Sequence, residues 1–408
     1  MNWRSLRMAL NLTVVVGSLG YFVDMYDLLL YGIVRVQSLS DLGMSGDGLV
    51  SSGILLLNMQ MAGMLIGGIV WGVLGDKRGR ISVLFGSILL YSIANIANAY
   101  VTSIPQYAFA RFCAGMGLAG ELGAAITLVS EALPKEIRGY GTTIVASVGI
   151  MGSVVAALVG DLLPWRTAYM IGGGIGMVLL VLRMKLFESP MFNQIKTSSV
   201  VKGDFFSLFT SRKRFFKYLR CILIGVPTWF VVGVLVTFSP EFAKLLHVDG
   251  AISAGRSILF TYLGLVVGDF SSGFISQALE SRKKIVYAYV SITLFFVLVY
   301  LFGRGFSTTQ FYALCLMLGT GLGYWAVFVT IASEQFGTNL RSTVTTTVPN
   351  FVRGSTILIT LSFRGVSATL GFINGALIVG VVCFAVAYAA LYYMEETFHK
   401  DLNYLEEN

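Results

Sequence analysis

Six ionisable side chains stand inside long apolar runs of this sequence: Asp24, Asp27, Arg111, Glu121, Asp269 and Arg353. An ionised side chain near the centre of a bilayer costs at least ~2.5–3.5 kcal/mol on insertion scales, so each needs a partner or a task. The residue types point to two kinds of chemistry. A carboxyl held out of water favours its protonated form and a nearby guanidinium opposes this, so rearranging their contact switches proton affinity. Arginine keeps its proton throughout, which leaves the titrating role to the carboxylates. The planar fork of a buried arginine also suits a carboxylate or phosphate, and makes Arg353 the best pointer to substrate charge.

Depth along the runs suggests the partners. Asp27 and Arg111 lie about seven and six residues from the outer ends of their runs, roughly 9–10 Å deep at 1.5 Å per residue, and are expected to face each other. Asp27 is the first choice for the proton carrier and Asp24, three residues earlier on the same face, the second. Arg353 and Asp269 also match in depth and are expected to pair while the site is empty. For both pairs the competing reading is a permanent structural salt bridge. Glu121, beside Gly120 and Gly123, is either a second proton site or a polar group at a close helix contact. Tyr31, Asn58, Gln60, Trp229, Tyr324, Trp325 and Asn350 lie at depths suited to completing a binding pocket. Aromatic residues in such bundles more often pack or mark the membrane interface. Pro349 is expected to break its run just before Arg353.

These groups need long membrane-crossing elements to hold them. The 408 residues are 56% hydrophobic and 12% charged, with 46 glycines, which excludes a soluble globule. At roughly 20 apolar residues per crossing, apolar length gives twelve spans, near 8–34, 49–73, 81–101, 105–131, 140–163, 166–187, 217–240, 252–278, 283–302, 307–333, 343–363 and 370–394. The expected organisation is an N-terminal six-helix bundle over 1–187, a linker over 188–216, a C-terminal six-helix bundle over 217–394 and a tail over 395–408. Arg4 and Arg7 precede an uncleaved first span. Of 29 Lys and Arg, 21 fall on the side holding both termini and the long connector and 6 on the other, which places both termini in the cytoplasm. The net charge of +8 therefore reports topology, and nucleic acid is not an expected partner.

The halves echo each other at a spacing of about 203 residues. Glu131, Arg138, Thr142 and Thr143 recur as Glu334, Arg341, Thr345 and Thr346. Asp76, Arg78 and Arg80 recur, one position further on, as Glu280, Arg282 and Lys284. Two matched halves in parallel sense are what a transporter rocking about a midplane site requires. Glu131, Arg138, Glu334 and Arg341, at helix ends, are expected to form cytoplasmic gate contacts.

The stretch Gly72, Val73, Leu74, Gly75, Asp76, Lys77, Arg78, Gly79, Arg80 resembles the signature loop of the major facilitator superfamily, with Ile81 where that family commonly places a second basic residue. Arg111, Gly115, Gly117, Gly120 and Glu121, then Glu131, Pro134, Arg138 and Gly139, then Glu188, Ser189, Pro190 and Phe192 are similar to the pattern shared by its sugar porters and metabolite:proton symporters. Tyr26, Asp27 and Gly32 sit closer to the metabolite symporters. Phe22, Asp24, Tyr26 and Asp27 also resemble phosphate:proton symporters, whose span-4 pattern is absent. The Gly-Pro pair of proton antiporters is missing from span 5, which favours uptake. The resemblance implies an all-α fold of two pseudo-symmetric six-helix bundles, and a span-1 Asp opposite a span-4 Arg as the proton-coupling pair.

The expected function is proton-coupled uptake of a small organic anion, a carboxylate-type metabolite, by alternating access in the inner membrane. The rival readings are a sugar, polyol or phosphate transporter and a non-transporting sensor. An enzyme is not expected. No Walker-type loop occurs, the two histidines are peripheral, and Cys113, Cys221, Cys315 and Cys383 lack metal spacing, so no cofactor or metal is implied beyond the proton. Twelve spans enclose a complete pathway, so a single chain in the lipid bilayer is expected to suffice for one small-molecule substrate.

Overall fold

The computed structural model describes residues 12–45, 47–134, 136–185, 191–192 and 202–406. The expected signature residues Glu188, Ser189 and Pro190 and linker residues 193–201 lie outside them. Lipid offers no hydrogen bonds, so an apolar chain crossing it must satisfy its own backbone, and it does so as helix throughout. Eleven stretches are long and apolar enough to cross: Leu12–Asp41, Leu55–Arg78, Arg80–Asn98, Ile104–Ala132, Arg138–Gly160, Trp165–Leu182, Arg212–Val236, Ala254–Ala278, Arg282–Phe302, Thr308–Gln335 and Phe372–Tyr392. The remaining expected crossing is the helix Arg341–Leu370, whose 30 residues carry Arg341, Arg353, Arg364 and a run of threonines. Its first ten residues are all buried against other helices, which explains how so polar a segment is tolerated. In chain order these are spans 1 to 12, with Arg341–Leu370 as span 11. The face carrying the C-terminal tail is called the tail end below.

Several expectations need correction. Span 1 runs seven residues beyond the expected end, to Asp41, because its polar extension contains no helix breaker. Span 4 is two helices, Ile104–Leu118 and Glu121–Ala132, and span 10 is likewise Thr308–Leu322 and Trp325–Gln335. The breaks fall at Gly120 and Gly323, separated by the repeat distance, so the internal echo extends to backbone irregularity. Span 7 begins at Arg212, within the expected linker, and passes through Val226–Phe230 into a wide-turned segment, Val231–Val236. Span 11 is continuous through Pro349, contrary to the expected break. The pseudo-symmetry shows directly where Ser130 and Ser333 meet at 3.3 Å, since they are 203 residues apart. Residues related by the repeat touch each other only on the pseudo-two-fold axis.

Candidate functional site

Arg111 and Asp27 pair as expected. Two parallel bonds join them, Nη1 to Oδ1 at 3.0 Å and Nη2 to Oδ2 at 2.9 Å. Both side chains are fully buried. The guanidinium also lies over the rings of Tyr31 and Tyr169, and the Tyr31 hydroxyl donates to the Gly53 carbonyl. Tyr31 thus walls this pair. The pair, its aromatic wall and both helices belong to spans 1 to 6.

Arg353 does not pair with Asp269. Its Nη2 donates to Asp24 Oδ2 at 2.9 Å, a single bond that joins span 11 to span 1 across the two halves. Arg353 Nε and Asp24 Oδ1 are both buried and unpartnered. Asp269 is engaged elsewhere: the break in span 10 frees backbone N–H groups, and Asp269 Oδ1 accepts that of Ala326 at 3.0 Å.

Arg353 forms part of the wall of a cavity between the halves, shared with Tyr21, Met25, Trp229, Tyr262 and Trp325 among others. Its volume is ≈ 20 Å³, room for about one water. The indole N–H groups of Trp229 and Trp325 have no hydrogen-bond partner. A buried N–H left unpaired costs about 1–3 kcal/mol, so this wall is short of acceptors.

The other expected pocket residues lie elsewhere. Tyr324 donates to the Ile224 carbonyl and accepts from Thr228. Asn350 ties span 11 to the break in span 4 through the Ala119 carbonyl at 2.9 Å. Gln60 is buried with both amide atoms unpartnered, and Asn58 is exposed. None of these four lines the cavity. Glu121 is held within its own half: Arg183 Nη1 reaches its Oε1 at 3.1 Å, Arg183 Nη2 its Oε2, and Ser87 donates to it as well. Arg183 stands near the end of the expected sixth span, 166–187, and this fully buried arginine was not singled out. Span 1 passes so close that a methyl group at Gly20 would collide with the Arg183–Glu121 pair.

At the tail end the signature residues knit the halves together. Gly79, at φ +102°, makes the tight turn between spans 2 and 3, a conformation that glycine adopts without penalty. Asp76 accepts the backbone N–H groups of Ser342 and Thr343 at 3.0 and 2.8 Å, and so caps span 11 from the other half. Arg80 holds Glu131 through two bonds and also donates to the carbonyls of Gly75 and Thr338. Glu131 in turn accepts from Arg341 at 2.8 Å across the halves. Arg78 is exposed and takes no part in this cluster. The mirror contact is absent from the described residues: Glu334 binds Arg282 at 3.4 Å within its own half and Thr397 of the tail, while Arg138 reaches only the Lys400 carbonyl, at 3.5 Å. Arg282 and Arg80, each the first residue of its helix, are therefore the equivalent pair, not Arg282 and Arg78.

A model of the Major Facilitator Superfamily matches residues 17–360. The chain belongs to the major facilitator superfamily. Its superfamily relatives include a sialic acid transporter of Escherichia coli, 25% identical over 79% of this chain and 79% of its own length. A niacin transporter of Acinetobacter baylyi is 27% identical over 70% of this chain and 72% of its own length. The solved structure of the proton:xylose symporter XylE superposes with a TM-score of 0.76 over 96% of this chain and 97% of that one, at 16% identity, which shows the shared fold. The chain is thus a multi-pass membrane transporter of two six-span halves, and not an enzyme.

Proposed function

We propose that the protein takes up a small carboxylate, with an aromatic or similarly flat body, together with a proton. The observation that carries this reading is Arg353: a buried guanidinium on the wall of an aromatic cavity, held by one bond to a carboxylate of the opposite half, with unpartnered indole donors on the same wall. One carboxylate can replace another on such a fork. When Asp24 takes up a proton its attraction for Arg353 falls, and the incoming carboxylate takes its place. The pair of proton and anion then crosses without net charge. Separation of spans 1 and 11 at this bond also enlarges a cavity otherwise too small for any substrate. Niacin and sialic acid, transported by the two relatives, are both carboxylic acids, which agrees with an anion site.

Asp24 is therefore the first choice for the coupling carboxylate and Asp27, already bound through both oxygens, the second. This reading includes cytoplasmic termini and a functional monomer in the inner membrane. It is tested by uptake into proteoliposomes of labelled nicotinate, benzoate and a neutral sugar. Acidifying the outside at fixed internal pH should accelerate aromatic carboxylate uptake several-fold. Uptake that ignores the proton gradient removes the coupling, and transport of the sugar with no carboxylate uptake removes the substrate class.

A further inference from the structure

At the tail end, away from the midplane site, the start of span 7 and the C-terminal tail enclose a second cavity of ≈ 580 Å³. Five cations line it, Lys213, Arg214, Lys217, Arg220 and Lys400, against the carboxylates of Glu395 and Glu406. The charges do not close on each other. Lys217 holds Glu406 at 2.6 Å, and Arg220 donates to the Tyr393 carbonyl at 2.8 Å. The Lys400 ammonium lies over the Tyr404 ring, 5.0 Å from its centre. Burial, and after it the neighbouring Lys217, holds Lys400 below the ordinary ammonium value, while Glu406 and Glu395 oppose this. Arg214 is 91% buried, and no hydrogen bond or ion pair is found for its guanidinium among the described residues. The stem is packed away while the charged head lines the cavity with no protein partner among the described residues, which leaves its donors open to an anion.

The backbone points the same way. Arg214 and Lys213 sit in the first turn of the helix Arg212–Leu223, whose cap residue Ser211 makes no side-chain bond to it. The opening N–H groups and the helix dipole thus add positive potential where Arg214 and Lys213 stand. Phe209, Phe216, Tyr392 and Tyr393, on the same segments, are exposed, as aromatic residues at a membrane–water boundary are.

We propose that this cavity is a binding site for a phosphate-bearing anion, supplied either as the headgroup of an anionic phospholipid or as a soluble phosphate. Arg214 would clasp the phosphate oxygens, Lys213 and Lys400 would supply point charges, and the helix start would donate backbone N–H groups. Basic pockets between membrane helices at this depth suit lipid headgroups in particular. The occupant would also bear on the tail, which accepts Arg341 at the Leu402 carbonyl and so adjoins the Glu131–Arg341 link.

The full chain in a neutral detergent is titrated with two probes, inorganic phosphate and short-chain phosphatidylglycerol, with short-chain phosphatidylcholine as control. Binding is read by calorimetry and by native mass spectrometry. Saturable binding of either anionic probe is expected, weakened ~10–100-fold by Arg214→Ala and a few-fold by Lys213→Ala, the range of one buried and one exposed charge-assisted contact. Phosphatidylglycerol alone binding assigns the site to the lipid, and inorganic phosphate binding or displacing it assigns the site to a soluble anion. Lys213 is exposed, so Lys213→Ala and Lys213→Glu keep the test alive if Arg214→Ala fails to fold. If neither probe saturates, or if the variants bind as the wild type does, the proposal is overturned.

Discussion

Two aspartates one helical turn apart meet two different arginines, and the difference lies in which half of the molecule the arginine belongs to. Asp27 is clasped by Arg111 of its own half through both oxygens, while Asp24 holds Arg353 of the opposite half by one bond. A rocking motion of the halves leaves the first pair intact and must part the second. The same division recurs around the molecule. Glu121–Arg183 and Glu334–Arg282 are internal to their halves, and Glu131–Arg341 crosses. Under the proposed alternating access, pairs within a half would brace it, and pairs between halves would be made and broken in the cycle.

The largest expected effect comes from attacking a brace. Asp27→Asn leaves Arg111 buried and uncompensated, which costs about 3–5 kcal/mol for pairs of this kind. Thermal unfolding in detergent should fall sharply, and Asp27→Asn with Arg111→Met should recover much of the loss, while proton-driven uptake per folded molecule persists. If uptake disappears in a stably folded Asp27→Asn protein, the division between braces and working pairs fails at its centre. Arg353→Ala comes next. It should leave folding largely intact and weaken carboxylate binding about 100-fold, the upper range for a charge-assisted interaction, read by binding and counterflow.

Asp24→Asn sharpens the comparison from the other side, because the amide imitates the protonated acid. Arg353 is then free at every pH, so anion binding should hold or tighten. Wild-type uptake should rise as the outside is acidified, and the variant's should be flat and reduced roughly tenfold at the acidic end, about 1.4 kcal/mol. A variant that keeps the wild-type pH profile would transfer the coupling role to Asp27.

The two pairs were not equally legible in the sequence. Twelve crossings, the repeat and the Asp27–Arg111 contact follow from apolar length and depth, quantities that a linear chain carries. The partner of Arg353 did not, because Asp269 has a matching depth and only the break of span 10 at Gly323 shows why it is occupied. Glycine is common in membrane helices, so nothing marked Gly120 and Gly323 as breaks among 46. Arg183 was hidden for a different reason. It stands near the end of an apolar run beside Lys185, where surface cations are usual, and only the fold brings it to Glu121. Trp229 and Trp325 line the cavity beside Arg353, whereas Asn58, Gln60, Tyr324 and Asn350 share the depth but do not line it. Depth can be read from sequence, but rotation about a helix that is apolar on every side cannot.

The smallest effect should appear at the tail end, where the Glu131 and Glu334 corners repeat the comparison with weaker stakes. Glu131 reaches Arg80 and Arg341, each of which also holds backbone carbonyls, so Glu131→Gln should loosen the closed tail end by only about 1 kcal/mol, roughly a fivefold shift in population. Glu334→Gln disturbs Arg282 within one half and contacts with the tail, and should not shift it. Spin labels at Lys77→Cys and Lys284→Cys, both exposed and on opposite halves, read the separation once the four native cysteines are replaced. A longer distance in Glu131→Gln alone ties opening to the bond that crosses the halves. An equal change in both variants would mean that any loss of charge relaxes this face, and that Asp24–Arg353 cannot be singled out as the working pair merely because it bridges them.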